Sequence, residues 1–209
     1  MNYGIIDFEM TCDGKQEKGR FIDDGRMNKF KREIISIGFI AFDNKFNIIG
    51  KYFSYVKPVK NAILTEYCKN LTGITQTTID AAIKSNDAFR CVVNLCNKHK
   101  ISKIFSFGNM DAIAIQSTIK WNLRAKEKVN NLHIIKQMIV DINPLVMSIV
   151  FPNRAKCLGL SKAAKELNIE INDSNIHNAL NDAVLLYEIC KKLNIPFRDY
   201  SFMNKTQTQ

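Results

Sequence analysis

Apolar residues recur along this chain in two periods, and each change of period marks the edge of an element. The run Ile5 to Met10 opens the chain as a strand, interrupted by Asp7 and Glu9. Ile34 to Phe42 is nearly continuous in apolar residues, and Asp43-Asn44-Lys45 supplies a turn. Phe46 to Val56 then alternates with aromatic and β-branched positions, which predicts a hairpin beside the first strand, ended by Pro58. Short helices are expected over Ala62 to Asn70 and Thr77 to Ile83, separated by Leu71-Thr72-Gly73-Ile74. Within Asn86 to His99, Phe89, Val92, Val93 and Cys96 fall at helical spacing, ahead of a strand at Ile104 to Phe107. A Gly108-Asn109 turn leads into a helix from Asp111 to the region of Leu123, and Met138 to Ile142 reads as a fifth strand. Helices over Ser161 to Asn168 and Asn178 to Leu193 complete the pattern. This order predicts a mixed α/β layer fold, a central mixed five-stranded sheet flanked by α-helices.

At 209 residues and 46% hydrophobic, without internal repeat or Gly/Ser-rich linker, the chain is expected to form one domain over residues 1–197. Residues 198–209 read as a polar, flexible tail. There is no signal-peptide pattern at the start, and no apolar stretch reaches the roughly 18 residues that span a bilayer, so no membrane partner is predicted and the cytoplasm is expected. Cys12, Cys68, Cys91, Cys96, Cys157 and Cys190 are scattered without a CxxC pair, which excludes a zinc-finger framework and predicts reduced, mostly buried thiols.

The formal net charge of +10 favours a polyanionic partner, of which nucleic acid is the commonest. Lys outnumbers Arg 23 to 7, a bias that AT-rich codon usage would also produce. The densest basic stretch, Lys15 to Arg32, also carries Glu17, Asp23, Asp24, Gly19 and Gly25. It reads as a mobile loop beside the acidic strand, either solvated or touching substrate.

Candidate chemistry rests on acids. Side chains alternate faces along a strand, so Asp7 and Glu9 share a face while Ile6, Phe8 and Met10 take the other. Two carboxylates this close repel unless a hard cation such as Mg²⁺ or Mn²⁺ neutralises them; the alternative is a polar strand face turned to water. Asp111 follows a predicted strand end, where ligands gather in open α/β sheets, although a carboxylate there also complements a helix dipole. In the last helix, Asp182 lies beside the apolar stripe of Leu180, Ala183, Val184, Tyr187 and Cys190, and can lean into a cleft at the sheet. His177 stands five residues before it, at or ahead of the helix start.

The order Asp7-x-Glu9, Asp111, His177-x4-Asp182 resembles the DEDDh 3′-to-5′ exonucleases of the ribonuclease H-like fold. Ile6-Asp7-Phe8-Glu9-Met10-Thr11-Cys12-Asp13, Glu33-Ile34-Ile35-Ser36-Ile37-Gly38, Tyr55-Val56-Lys57-Pro58-Val59 and Leu71-Thr72-Gly73-Ile74-Thr75-Gln76 are similar to the branch with histone-mRNA and small-RNA trimming exonucleases and bacterial KapD-like exonucleases. The chain departs from that pattern at Asn181, where an acid is usual, and in Asp173-Ser174-Asn175-Ile176, which lacks a Gly and a second His. The resemblance implies phosphodiester hydrolysis that releases nucleoside 5′-monophosphates from the 3′ end of single-stranded RNA or DNA. It implies two divalent ions, Mg²⁺ or Mn²⁺: Asp7, Glu9 and Asp182 on one, Asp7 and Asp111 on the second, with His177 as general base. It further implies that Met10, Thr11, Leu71 and Thr72 meet the terminal nucleotides, together with Phe8 unless alternation buries Phe8 in the core. Two alternatives stay open at this point: a catalytically silent nucleic-acid-binding module, and a proofreading subunit of a polymerase.

Overall fold

The computed structural model describes residues 1–13, 15–17, 20–22, 32–152, 158–170 and 178–197. In chain order the elements are β1 (Asn2–Met10), β2 (Lys15–Glu17), β3 (Arg20–Ile22), β4 (Ile34–Asp43), β5 (Ile48–Lys57), α1 (Glu66–Thr72), α2 (Gln76–Asp80) and β6 (Ile83–Lys84). There follow α3 (Ser85–His99), β7 (Ile101–Ser106), α4 (Met110–Arg124), α5 (Asn130–Met138), β8 (Ile139–Asp141), α6 (Asn143–Val150), α7 (Leu160–Glu166) and α8 (Ala179–Lys192).

A six-stranded sheet in the order β6-β5-β4-β1-β7-β8 forms the middle layer. β1, β4 and β5 run antiparallel to their neighbours among these three, while β7 and β8 join parallel beyond β1. The α/β class and mixed sheet agree with the sequence pattern. The sixth strand, β6, is a two-residue piece lying parallel to the end of β5, with both residues exposed. The predicted helix Thr77 to Ile83 covers its first residue and the sequence signals no strand there, because two exposed residues carry no periodicity. The basic stretch after β1, expected as loop, holds a short antiparallel pair, β2 with β3, in register Lys15↔Ile22. Helices α5 and α6 were not anticipated; Met138, taken as the start of a strand, is the last residue of α5.

Strand alternation divides the core. Even-numbered β1 residues Ile6 and Phe8 face a cluster built with Phe89, Val92, Ala114, Ile115 and Leu132 of α3, α4 and α5. Odd-numbered Tyr3 and Ile5 face the other layer, with Val146, Ala163, Ala183, Leu186 and Tyr187 of α6, α7 and α8. Phe197 closes that layer, its ring 4.5 Å from the centroid of Phe105 and 5.0 Å from that of Tyr3. Asp7 and Glu9, continuing the odd series, therefore emerge on the α8 side at the end of the strand.

Gly38 fixes how near α8 comes. It pairs with Asp7 across β1 and β4, so both occupy one face. A Cβ at position 38 would stand 2.1 Å from the carbonyl oxygen of Ala179 and 2.3 Å from the backbone nitrogen of Leu180. The first turn of α8 thus rests on bare sheet backbone, which only glycine permits. Gly38→Ala is expected to lift that turn by about 1 Å, lowering stability by about 1–3 kcal/mol and turnover by about two orders of magnitude. Thermal unfolding and nuclease assay of the variant check this; unchanged activity would refute the packing argument.

Candidate active site

Three elements carry the four acids. Asp7 and Glu9 lie on the last turns of the pleat in β1, Asp182 in the first turn of α8, and Asp111 in the first turn of α4. Asn178 caps α8: its side-chain oxygen accepts from the N–H groups of Leu180 and Asn181 at 3.1 and 3.3 Å. The capped start holds Asp182 over the sheet. Carboxylate oxygens of Asp7, Glu9 and Asp182 come within 4.8 Å of one another.

Asp111 reaches the group from the other layer. The β1–β7 pairing ends at Ile5↔Phe105, and beyond it the Phe8 N–H donates to the Asp111 carboxylate. The turn that delivers Asp111 needs Gly108, whose φ of 99° lies in the left-handed region. Asp141, at the end of β8, pins this turn by accepting from the N–H groups of Gly108 and Asn143, each at 2.8 Å. Sequence reading overlooks Asp141, although it lies within the predicted strand Met138 to Ile142.

Burial and mutual repulsion govern the electrostatics. Asp7 is held well above the usual carboxylate range, first by loss of hydration and then by the charges of Asp111, Asp182 and Glu9. Glu9, 8% exposed, is pushed up to about 8 by burial and by Asp182. Asp111, 4% exposed, is likewise raised to about 8 by burial and by Asp141, against the lowering effect of the Phe8 N–H. Hard oxygen donors crowded until they resist ionisation fit a divalent cation, which restores the charged form of every carboxylate it touches.

The residues expected to touch nucleotides separate in the structure. Met10 is half-buried at the end of β1, and Cys68 of α1 donates its thiol to the Met10 carbonyl at 3.6 Å. That contact ties α1, whose last turn holds half-buried Leu71 and Thr72, to the end of β1. Thr11 does not fit the expectation. It is 2% exposed, and its hydroxyl accepts from the Glu33 N–H at 2.9 Å and the Asn61 side-chain amide at 3.1 Å, which makes it a tie between loops. Phe8 is core, 4% exposed, with its ring centroid 5.7 Å from that of Phe89. His177, one residue ahead of the Asn178 cap in sequence, lies outside the described residues. Glu33, also missed in the sequence, is fully buried, and its carboxylate accepts from the N–H groups of Val59, Lys60 and Asn61.

The family model RNase_T, described as Exonuclease, matches residues 5–190. The chain belongs to this exonuclease family. It is 31% identical over 192 residues to the "Probable 3'-5' exonuclease KapD" of Bacillus subtilis (strain 168), covering 90% of this chain and 82% of that one. Similarity to the 3'-5' exonuclease eri1 of Schizosaccharomyces pombe is 35% over 96 residues, 46% of this chain and only 29% of the relative. In fold, the chain superimposes on the nuclease domain of 3'hExo, a DEDDh family member bound to rAMP, with a TM-score of 0.71 at 21% identity, over 92% of this chain and 90% of that domain. The DEDDh exonuclease resemblance read from the motifs therefore holds. No helix among the described residues is long and apolar enough to cross a membrane.

Folding raises the pKa of these acids, so the metal-free native state keeps protons that the unfolded chain releases above the ordinary Glu value near 4.5. Stability of the metal-free exonuclease is accordingly expected to fall as pH rises from about 4.5 to 8. Glu9→Gln removes one repelling charge and is expected to raise the Tm at pH 8, by roughly 2–4 °C per kcal/mol gained, with little effect at pH 5. Calorimetry in EDTA at both pH values tests this, and equal Tm shifts at the two would contradict it.

Proposed function

We propose that the chain is a divalent-metal-dependent exonuclease that removes nucleoside 5′-monophosphates from the 3′ end of single-stranded RNA or DNA, its whole domain lying within residues 1–197. The observation that carries this reading is the convergence of Asp7, Glu9 and Asp182 oxygens within 4.8 Å, from a strand and a helix remote in sequence. The enclosing sheet end is where a family exonuclease is expected to work. Asp7, Glu9 and Asp182 would hold one Mg²⁺ or Mn²⁺, and Asp7 with Asp111 a second. When bound, such ions supply Lewis-acid charge that favours displacement at phosphorus.

The remaining work falls to the chain's own groups. His177 takes a proton from the attacking water, a task suited to a side chain that titrates near neutrality. Leu71, Thr72 and Met10 form the wall against which the terminal nucleotides rest, an apolar grip without sequence preference. Thr72 is held for this: its hydroxyl donates to the Cys68 carbonyl at 2.8 Å, closing the last turn of α1.

Incubation with 5′-labelled single-stranded RNA and DNA of one sequence, in Mg²⁺, Mn²⁺ or EDTA, tests the reading. A ladder that shortens from the 3′ end, abolished by EDTA and by Asp7→Ala, is expected. Intact strands of both kinds in Mg²⁺ and Mn²⁺ would overturn it. The division of roles has its own test: His177→Ala should reduce turnover about 10²- to 10⁴-fold while sparing metal affinity, whereas Asp182→Ala should damage both. Equal loss of metal by titration calorimetry in the two variants would refute it.

A further inference from the structure

The only tryptophan of the chain, Trp121, sits half-buried near the end of α4 with two cations against its ring. The guanidinium of Arg124 is 4.6 Å from the ring centroid and the ammonium of Lys60 5.6 Å. Among the described residues neither cation lies in an ion pair with a carboxylate; the ion pairs there join Lys69 to Glu66, Lys84 to Glu127 and Arg90 to Asp87. Two like charges gathered at one aromatic ring, both exposed and, among the described residues, without an ion-paired carboxylate, favour an anion. The elements that carry them also expose apolar side chains: Val59 beside Lys60 is 38% exposed, and Leu123 beside Arg124 55%.

This corner is built onto the acids by three ties. Lys60 is carried by the loop whose N–H groups end on the Glu33 carboxylate, between 2.6 and 3.1 Å. Glu33 pairs through its backbone with Thr11, two residues beyond Glu9, the Thr11 N–H donating to the Glu33 carbonyl at 2.8 Å. Trp121 belongs to the helix that opens with Asp111, ten residues and about 15 Å farther along its axis. The Ile34 N–H donates to Thr118 at 3.0 Å and locks that helix to β4 one turn before the ring.

We propose that Trp121, Arg124 and Lys60 form a stacking platform for single-stranded nucleic acid, taking up the strand upstream of the 3′ end. A base lies against the indole while the two cations meet the flanking phosphates, the pairing of ring and charge that single strands favour. The inference rests on the exonuclease reading for the direction of the strand, and its test does not need cleavage.

Because the chain has one tryptophan, its fluorescence reports the platform directly. Wild-type protein in EDTA is titrated with single-stranded RNA and DNA oligomers of about 12 nucleotides and with a dinucleotide. Quenching by the long strands and not by the dinucleotide is expected. Read in EDTA by the anisotropy of a 5′-labelled strand, Trp121→Ala should weaken binding of the long strand about 5- to 150-fold and leave dinucleotide affinity, read by competition, unchanged, while Trp121→Phe recovers most of the affinity. Lys60→Ala and Arg124→Ala, both at exposed positions, should keep the fold by circular dichroism and each reduce the salt slope of binding by about one. Saturating binding without quenching, with long-strand affinity unmoved in the three alanine variants, would overturn the platform even if 3′ ends are degraded. Quenching without any degradation in Mg²⁺ or Mn²⁺ supports the platform and refutes the exonuclease reading alone.

Discussion

The contact of the first turn of α8 with Gly38 sets the geometry of everything that follows. Helix and sheet ordinarily keep a side-chain layer between them, yet here the Ala179 carbonyl lies where a Cβ of residue 38 would be. The site needs this proximity. Asp and Glu side chains are short, and Asp182 meets Asp7 and Glu9 only if its helix descends onto the strands. Register does the rest, because Gly38 is the cross-strand partner of Asp7 and so clears the space beside that residue. The odd residues of β1 above the site carry Tyr3 and Ile5 into the same layer, so one packing decision serves core and site together.

Crowding the acids works against folding, and the surrounding structure offsets it. Burial and repulsion hold Asp7, Glu9 and Asp111 above their ordinary range, which is a penalty on the charged form in the absence of a cation. Opposing it are large hydrophobic clusters on both faces of the sheet and well-satisfied polar ties at the site's edges, such as Asp141 on the Gly108 turn. A chain of net charge +10 thus gathers acids at one sheet end, where Asp7, Glu9 and Asp182 meet. That contrast suits the proposed substrate, since an excess of cationic side chains attracts a phosphate chain.

Glu33 shows how a buried charge is made tolerable. Four hydrogen bonds from three consecutive N–H groups surround its carboxylate, as in a backbone nest. The loop so held presents Lys60 to Trp121, and the Thr11 hydroxyl bridges the same loop to β1. Thr11 therefore acts on the site's margin through the loops it joins, and its place next to the acidic motif reflects structure more than contact with substrate.

Much of this was legible before any coordinates. Asp7 and Glu9 two residues apart in a strand had to share a face, and the period of the last helix put Asp182 beside its apolar stripe, because both follow from local backbone geometry. The strands β1, β4 and β5, and helices α3, α4 and α8, carried enough consecutive periodicity to be read directly. Short pieces did not: β6 has two residues, β2 and β3 three each, and α6 opens on Asn143-Pro144 directly after a strand. The roles of Glu33, Asp141 and Trp121 were also hidden, since each depends on a partner 26 or more residues away or on a neighbouring loop. By itself the sequence determined which acids exist, in what order, and on which face of which element they stand. Only the tertiary structure decided that they meet and that Thr11 is sealed away from substrate, because such contacts are set by how closely layers pack, a distance no local pattern encodes.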